Sequence, residues 1–217
     1  MKRLLKKEIR LSASPLSFLF TAFGLMALIP NYPLLVGAFF ICFGIFHTFQ
    51  NSRENSDVLY TALLPVPKAD TVKARFLFCI FIQFCGFAVM TAATVLRMIW
   101  LKDLPPYRDG ALMNANFISL AYALVIFAFF NRIFVCGFFK TAYGFAKPFI
   151  AYLTATFLFI TLTEVLHHFP GWEILNPAGF ENLPFQLIFL AAGGIAYAAV
   201  TGIALKRSMD RFEKIDL

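Results

Sequence analysis

The chain has 217 residues, of which 60% are hydrophobic and only 14% charged, with 29 phenylalanines and a net charge of +7. A soluble domain of this length cannot hide so much apolar surface in one core. Nor do the apolar stretches leave room for a soluble catalytic domain beside them.

Residues 1–13 are predicted to form an amphipathic helix. Leu4, Leu5 and Ile9 share one face, lysines and arginines cover the rest, and such a helix lies in the membrane interface. The plainer alternative is a basic anchor without helical order. Ser14 and Pro15 read as the cap and first turn of a retained helix, and no small-residue cleavage site follows, so a signal peptide is not expected.

Six apolar runs come next, each near the roughly 20 residues that a membrane helix needs. Residues 15–29 and 34–49 flank the breaker Pro30-Asn31-Tyr32-Pro33 and read as a tight hairpin, 15–49. After a loop at 50–71 come runs at 72–100, 116–139, 149–166 and 184–205, and a polar tail at 206–217. Helix is preferred over strand because the runs are long and lack period-2 alternation. The predicted fold is an all-α polytopic membrane protein with six transmembrane helices, residues 72–205 carrying the last four.

Orientation follows from the basic residues. With the N-terminus inside, one side holds Lys2, Arg3, Lys6, Lys7, Arg10, Arg53, Lys68, Lys73, Arg75, Arg132, Lys140, Lys147, Lys206, Arg207, Arg211 and Lys214. The other holds Arg97, Lys102 and Arg108, so the positive-inside rule places both termini in the cytoplasm, at a cell membrane. The net charge then suits anionic headgroups and requires no nucleic acid.

The 50–71 loop carries the most information. A helical piece over roughly 53–63 begins polar and ends apolar, with Val58, Leu59, Ala62 and Leu63 on one face. Pro65 ends it, and Pro67 stiffens the bend into the third span, whose basic end is fixed by Lys73 and Arg75. A short helix braced in this way fits a part that transmits force to a partner.

Glu54, then Leu64-Pro65-Val66, Lys68 and Thr71-Val72-Lys73-Ala74-Arg75-Phe76, resemble the permease subunits of type-2 ABC transporters, the small six-helix exporters common in Gram-positive bacteria. In that family an acidic residue precedes a Leu-Pro-Val-Ser-Arg stretch, where this chain has Pro67 and Lys68 in the last two places. The close match covers about 25 residues. The layout, the amphipathic N-terminus and the length extend the likeness to the whole chain. The resemblance implies a cytoplasmic coupling helix that docks on a separate ABC ATP-binding subunit. Arg53, Glu54, Asp57, Leu59, Tyr60, Leu63, Leu64 and Pro65 are the implied contacts. Glu54, Asp57 and Tyr60 would be the polar and aromatic ones, with Leu59 and Leu63 filling the groove. The bland alternative is that they cap and pack an interfacial helix. The chain has no Gly-x-x-x-x-Gly-Lys-[Ser/Thr] stretch, so ATP and magnesium belong on the partner and this chain binds no cofactor.

Polar groups inside the spans each need an account. His47 is expected to bond a neighbouring backbone group, and Arg97 to snorkel toward headgroups. Arg132, beside Asn131, falls well inside the fourth run, where it reaches the surface or marks a bend, a subunit contact or the translocation path. Glu164, His167 and His168 cluster near the end of the fifth run. Glu164 and His168, four apart, suggest an outer gate, without the His-Glu-x-x-His spacing of a metal site. Trp172 and Phe180 mark an outer interfacial segment. Cys42, Cys79, Cys85 and Cys136 lie within apolar runs and read as packing residues. Gly194, Ala198 and Gly202 recur every four residues, for bundle packing or a dimer contact.

These features together predict an exporter permease for an amphipathic substrate (a peptide, lipid or hydrophobic drug), paired with a second identical or paralogous permease. The alternatives are a non-transporting scaffold or sensor subunit and an intramembrane enzyme using Glu164 and the two histidines.

Overall fold

The computed structural model describes residues 2–62, 65–108, 112–141 and 144–215, and every described element is helical. α1 (Lys2–Lys7) runs on as a π turn over Glu8–Ser12. α2 (Pro15–Leu19) continues as a 3₁₀ helix over Phe20–Leu28. α3 is Val36–Glu54, α4 Asp57–Ala62, α5 Lys68–Leu101 and α6 Pro105–Arg108. α7 is Phe117–Phe138, α8 Ala146–Leu166 and α9 Leu183–Glu213.

Four of these, α5, α7, α8 and α9, are long and apolar enough to cross a membrane. α1 and α2 reach that standard only as a pair, bent by 95°. The expected count of six is thus met in part. α3 falls short because its apolar stretch gives way to Gln50, Asn51, Ser52, Arg53 and Glu54 within the same helix. α2 is short in residues, but its 3₁₀ part lengthens it. Nine residues at about 2.0 Å and five at about 1.5 Å give roughly 25 Å, against about 21 Å for an all-α segment.

Boundaries moved in two places. Arg53 and Glu54 belong to the end of α3 rather than to the loop helix, which starts at Asp57 after Ser56 takes a left-handed φ of 50°. Residues 206–213 of the predicted polar tail are instead the last turns of α9. Ala204, Ser208 and Phe212 recur every four residues and are all buried, so the apolar face continues beneath the charges. There Phe212 meets Phe139 edge-on at 5.4 Å, and Arg211 Nη1 donates to the Cys136 carbonyl at 3.2 Å.

The core lies where α3, α5, α7 and the inner face of α9 meet, and aromatic rings fill much of it. Phe46 stacks on Phe149 at 4.0 Å, and Phe49 sits edge-on to Phe134 at 5.1 Å and to Phe138 at 4.9 Å. Glycines permit the closest backbone approaches. A Cβ on Gly24 would lie 2.9 Å from the Met90 nitrogen, and one on Gly86 2.6 Å from Ile41. On α9 it is Gly193 that makes such a contact, 2.9 Å from the Ala121 Cβ, whereas Gly194 and Gly202 face open space.

The apolar interior also holds an amide pair. Gln83 and Asn131 exchange two hydrogen bonds of 3.1 Å each. Tyr197 donates to Gln83 at 2.8 Å, and Asn131 to Thr201 at 3.0 Å. With α5, α7 and α9 supplying each other's partners, the cost of burying these groups is met. Asn131 and Arg132 lie on a π-helical stretch, Phe130–Val135, so the irregularity expected near Arg132 is a widened turn.

Candidate functional site

The site lies at the end of the bundle that carries both described chain ends, where α1, α3, α4 and α5 converge. It begins with the change of helix type in α1. The Ala13 N–H donates to the Glu8 carbonyl at 2.8 Å, five residues back, which widens the turn and puts Glu8 and Ser12 on the buried side. Leu11 is left 78% exposed and Ile9 partly exposed, on the opposite side.

Arg75 projects from the second turn of α5 into this junction. Its Nε lies 2.7 Å from Glu8 Oε2, and its Nη2 lies 2.8 Å from Asp57 Oδ2 and 3.0 Å from Ser52 Oγ. The guanidinium also lies over the Phe49 ring, 5.4 Å from its centroid. Lys7 forms an ion pair with the other oxygen of Asp57 and donates to Thr61 at 2.8 Å. Ser12 and Ser52 donate to Asp57 Oδ2 at 3.1 and 3.2 Å. Glu8 is 2% and Arg75 3% exposed.

Two cations and two anions balance to zero net charge in this pocket, and that balance makes the burial tolerable. Burial alone would raise the Asp57 pKa. The hydrogen bond from Lys7, the charges of Arg75 and Lys7 and the Ser12 hydroxyl together outweigh it and hold the carboxyl below its ordinary value of 3.8. The cluster fastens the six-residue α4 to α1, to the end of α3 and to α5.

The predicted contact residues divide into several groups. The Asp57 carboxylate turns inward and is occupied by the cluster, although Asp57 also lines the cavity beside Tyr60. Tyr60 is 63% exposed and lines a cavity of about 200 Å³ with Leu11 and Asn55, while Pro65 is also exposed. Arg53 lies over the Phe145 ring at 4.9 Å, and Glu54 accepts from Gln50 at 3.3 Å. Leu63 and Leu64 fall outside the described residues, and for Leu59 only the backbone is described. Lys73, expected to anchor the end of α5 beside Arg75, instead pairs with Asp70 at 3.1 Å on the surface.

At the opposite end, Arg97 does not snorkel. It is 7% exposed, donates to the Ala27 carbonyl at 3.0 Å and lies over the Tyr107 ring at 4.9 Å. The Tyr107 hydroxyl donates to the Leu28 carbonyl at 2.7 Å. The end of α2 leaves carbonyls without helical donors, and these two side chains supply them. Glu164 Oε2 accepts from the Met113 N–H at 2.9 Å, whereas His168 lies beyond the end of α8, exposed and with its ring 4.2 Å from that of His167. The two therefore do not share a helix face, and no group of three potential metal ligands occurs among the described residues. Arg132 is half-buried, 3.9 Å from the Cys136 sulfur. His47 sits edge-on to Phe20 at 6.0 Å and to Phe43 at 4.8 Å, in place of the backbone bond expected for it.

Sequence reading missed Glu8 and Arg75 as site residues. A signal existed for both. Glu8 is the one acid among Lys2, Arg3, Lys6, Lys7 and Arg10, and Arg75 is a cation flanked by Val72, Ala74 and Phe76.

Several membrane-length helices define a multi-pass membrane protein, with a loop helix clamped at one end by buried charge. The model of the ABC-2 family transporter protein matches residues 3–207, and the chain belongs to that family, as a membrane component of a transporter. Neither the curated proteins nor the solved structures contain a match to it.

Proposed function

We propose that this chain is the permease subunit of an ATP-driven exporter and that α4 is its coupling helix. One observation carries the reading: a helix of six residues is tied to three other elements by a neutral, buried ion cluster. A helix this short has little stability of its own. Clamped, it passes a push directly to α5, which is continuous from Lys68 to Leu101.

On this reading, α2 and α3 complete six spans, both termini are cytoplasmic, and α1 lies in the inner interface. The division into an interfacial helix at 1–13, a hairpin at 15–49, a coupling loop at 50–71, four helices over 72–205 and a tail at 206–217 is kept in order, with α3 running on to Glu54, α5 starting at Lys68 and residues 206–213 continuing α9. Tyr60 and Pro65 face the ATPase subunit, Arg53 and Glu54 border the contact, Asp57 holds the helix from behind, and Leu59, Leu63 and Leu64 are kept as contacts on the resemblance alone. A second permease, identical or paralogous, packs on the outward stripe of Gly194, Ala198 and Gly202. ATP and magnesium are bound by the partner, and the substrate is an amphipathic peptide, lipid or drug. Arg132, Glu164 and His168 are candidates for the path and its gate.

The test is affinity capture of the tagged chain from its native membrane, with mass spectrometry and an ATPase assay. An ATP-binding subunit recovered in about equal amount, with turnover reduced by Tyr60→Ala, supports the proposal. A chain recovered without an ATPase would point to the scaffold or sensor.

A further inference from the structure

A lateral groove separates the last turns of α7 from the first turns of α8, at the end that holds the ion cluster. It encloses about 630 Å³, within the roughly 300–1,000 Å³ range of small-molecule sites. Its wall is mostly apolar, with Ile133, Gly137, Ala146, Pro148 and Ala151 beside Thr141 and Gly144, and the exposed Lys140 and Lys147 also line it. The floor is closed where Gly137 meets Pro148, since a Cβ there would lie 2.7 Å from the proline ring. The small Ala146 and Ala151 leave the space beside it unfilled, and both are exposed on the flank of α8.

The charge around the groove is uncompensated. Arg132 lies on the π-helical stretch of α7, and Lys140 lies two residues beyond the end of that helix, in the turn that leads toward α8. Arg211 reaches α7 from α9, 3.4 Å from the Cys136 sulfur. The sequence contains no Asp or Glu from residue 110 to residue 163. None of the ion pairs among the described residues involves Arg132, Lys140 or Lys147. The first turn of α8 also carries no acidic residue and no side-chain cap.

We propose that the groove holds one anionic phospholipid, with an acyl chain along Ile133, Gly137 and Ala151 and its phosphate between Lys140 and Lys147. A free anion would gain nothing from the apolar wall, and a neutral amphiphile nothing from the cations. A zwitterionic headgroup would bring an ammonium group to a site without a carboxylate. The proposal rests on the chain's being a multi-pass membrane protein and is independent of the pairing with an ATPase.

The experiment is native mass spectrometry of the purified full chain, exchanged into detergent with equal amounts of phosphatidylglycerol and phosphatidylcholine of matched acyl chains. One tightly retained lipid is expected, with phosphatidylglycerol favoured roughly twenty-five-fold if each of the two lysines contributes about fivefold. K140Q/K147Q brings the preference close to parity, and Ala151→Trp lowers retention of both lipids. The control is K206Q/R207Q, which removes the same charge from exposed positions on α9 at the same end. The proposal is overturned if K140Q/K147Q keeps the preference, if the control loses it equally, or if the wild-type chain has none. Each variant is first shown to elute and melt as the parent does. Capture of the ATPase is scored separately, so the lipid site and the permease assignment fail independently.

Discussion

Glu8 and Arg75 meet 2.7 Å apart with both side chains almost fully removed from solvent, across 67 residues of sequence. The contact joins the first helix of the chain to the foot of α5, and Asp57 adds the loop helix to the same guanidinium. α1, α4 and α5 are therefore one mechanical unit at this end.

Breaking one side of the pair should cost far more than its solvent-exposed counterpart. Glu8→Gln leaves Arg75 with Asp57 alone, and Arg75→Gln leaves Glu8 with only the 3.4 Å contact to Lys7, so the buried charges no longer balance, a loss of up to about 3–5 kcal/mol. Lys73→Gln, in the 3.1 Å pair with Asp70 whose side chains are 41% and 33% exposed, should cost about 0–1 kcal/mol. Thermal melts in detergent check this ranking, and equal losses would sink the claim that Glu8 and Arg75 form a buried clamp.

The acid limb of stability should carry the signature of Asp57. Its pKa is lowered in the fold, so its contribution is complete above the ordinary value of 3.8 and is lost as pH falls through the folded value. The melting difference between the parent and Asp57→Asn should stay constant from about pH 5 to 8 and narrow below pH 3.8. A difference that narrows instead between pH 5 and 7 would assign the effect to another group.

Tyr60→Ala should leave the stability within about 0.5 kcal/mol of the parent, as expected of an exposed position. Asp57→Asn should lower it and loosen α4. If the assignment of α4 is right, both lose ATPase stimulation, but only the asparagine variant loses stability as well. Paired melting and ATPase measurements separate the two.

Gly24→Ala places a Cβ 2.9 Å from the Met90 nitrogen, which forces α2 away from α5 and should cost about 1–3 kcal/mol. Gly202→Ala meets open space within α9 and should be neutral or gain up to about 1 kcal/mol in helix propensity. The two melts should move in opposite directions or by clearly different amounts.

Much of the helical layout was legible from composition and runs of apolar residues. The ends of α7 and α8 fall within three residues of the sequence reading, and Ser14 caps α2 by accepting from the Leu16 N–H at 3.3 Å. Those features are local, so local patterns report them. The ion cluster was not legible, because ion pairing between residues 8, 57 and 75 has no period and depends on the π turn after Lys7. Arg97 misled for a related reason. A cation near the end of a span ordinarily seeks the surface, but here the unpaired carbonyls of Ala27 and Leu28 gave it and Tyr107 closer partners. The end of α9 was misread because Lys206, Arg207, Asp210 and Arg211 obscured the buried face of Ala204, Ser208 and Phe212.

The 3₁₀ stretch of α2 bears on the surrounding lipid. Leu16, Phe18, Leu19 and Leu25 are exposed along that flank, which is roughly 25 Å tall, while the apolar part of α9, residues 184–205, rises about 33 Å on its own. If α2 spans the membrane as proposed, a bilayer in contact with both flanks thins beside α2 to keep those side chains in hydrocarbon and the polar ends of the helix in water, at a fraction of a kcal/mol per ångström. The protein therefore meets an unequal hydrophobic thickness around its perimeter, and membranes of different thickness should favour different tilts of the whole bundle.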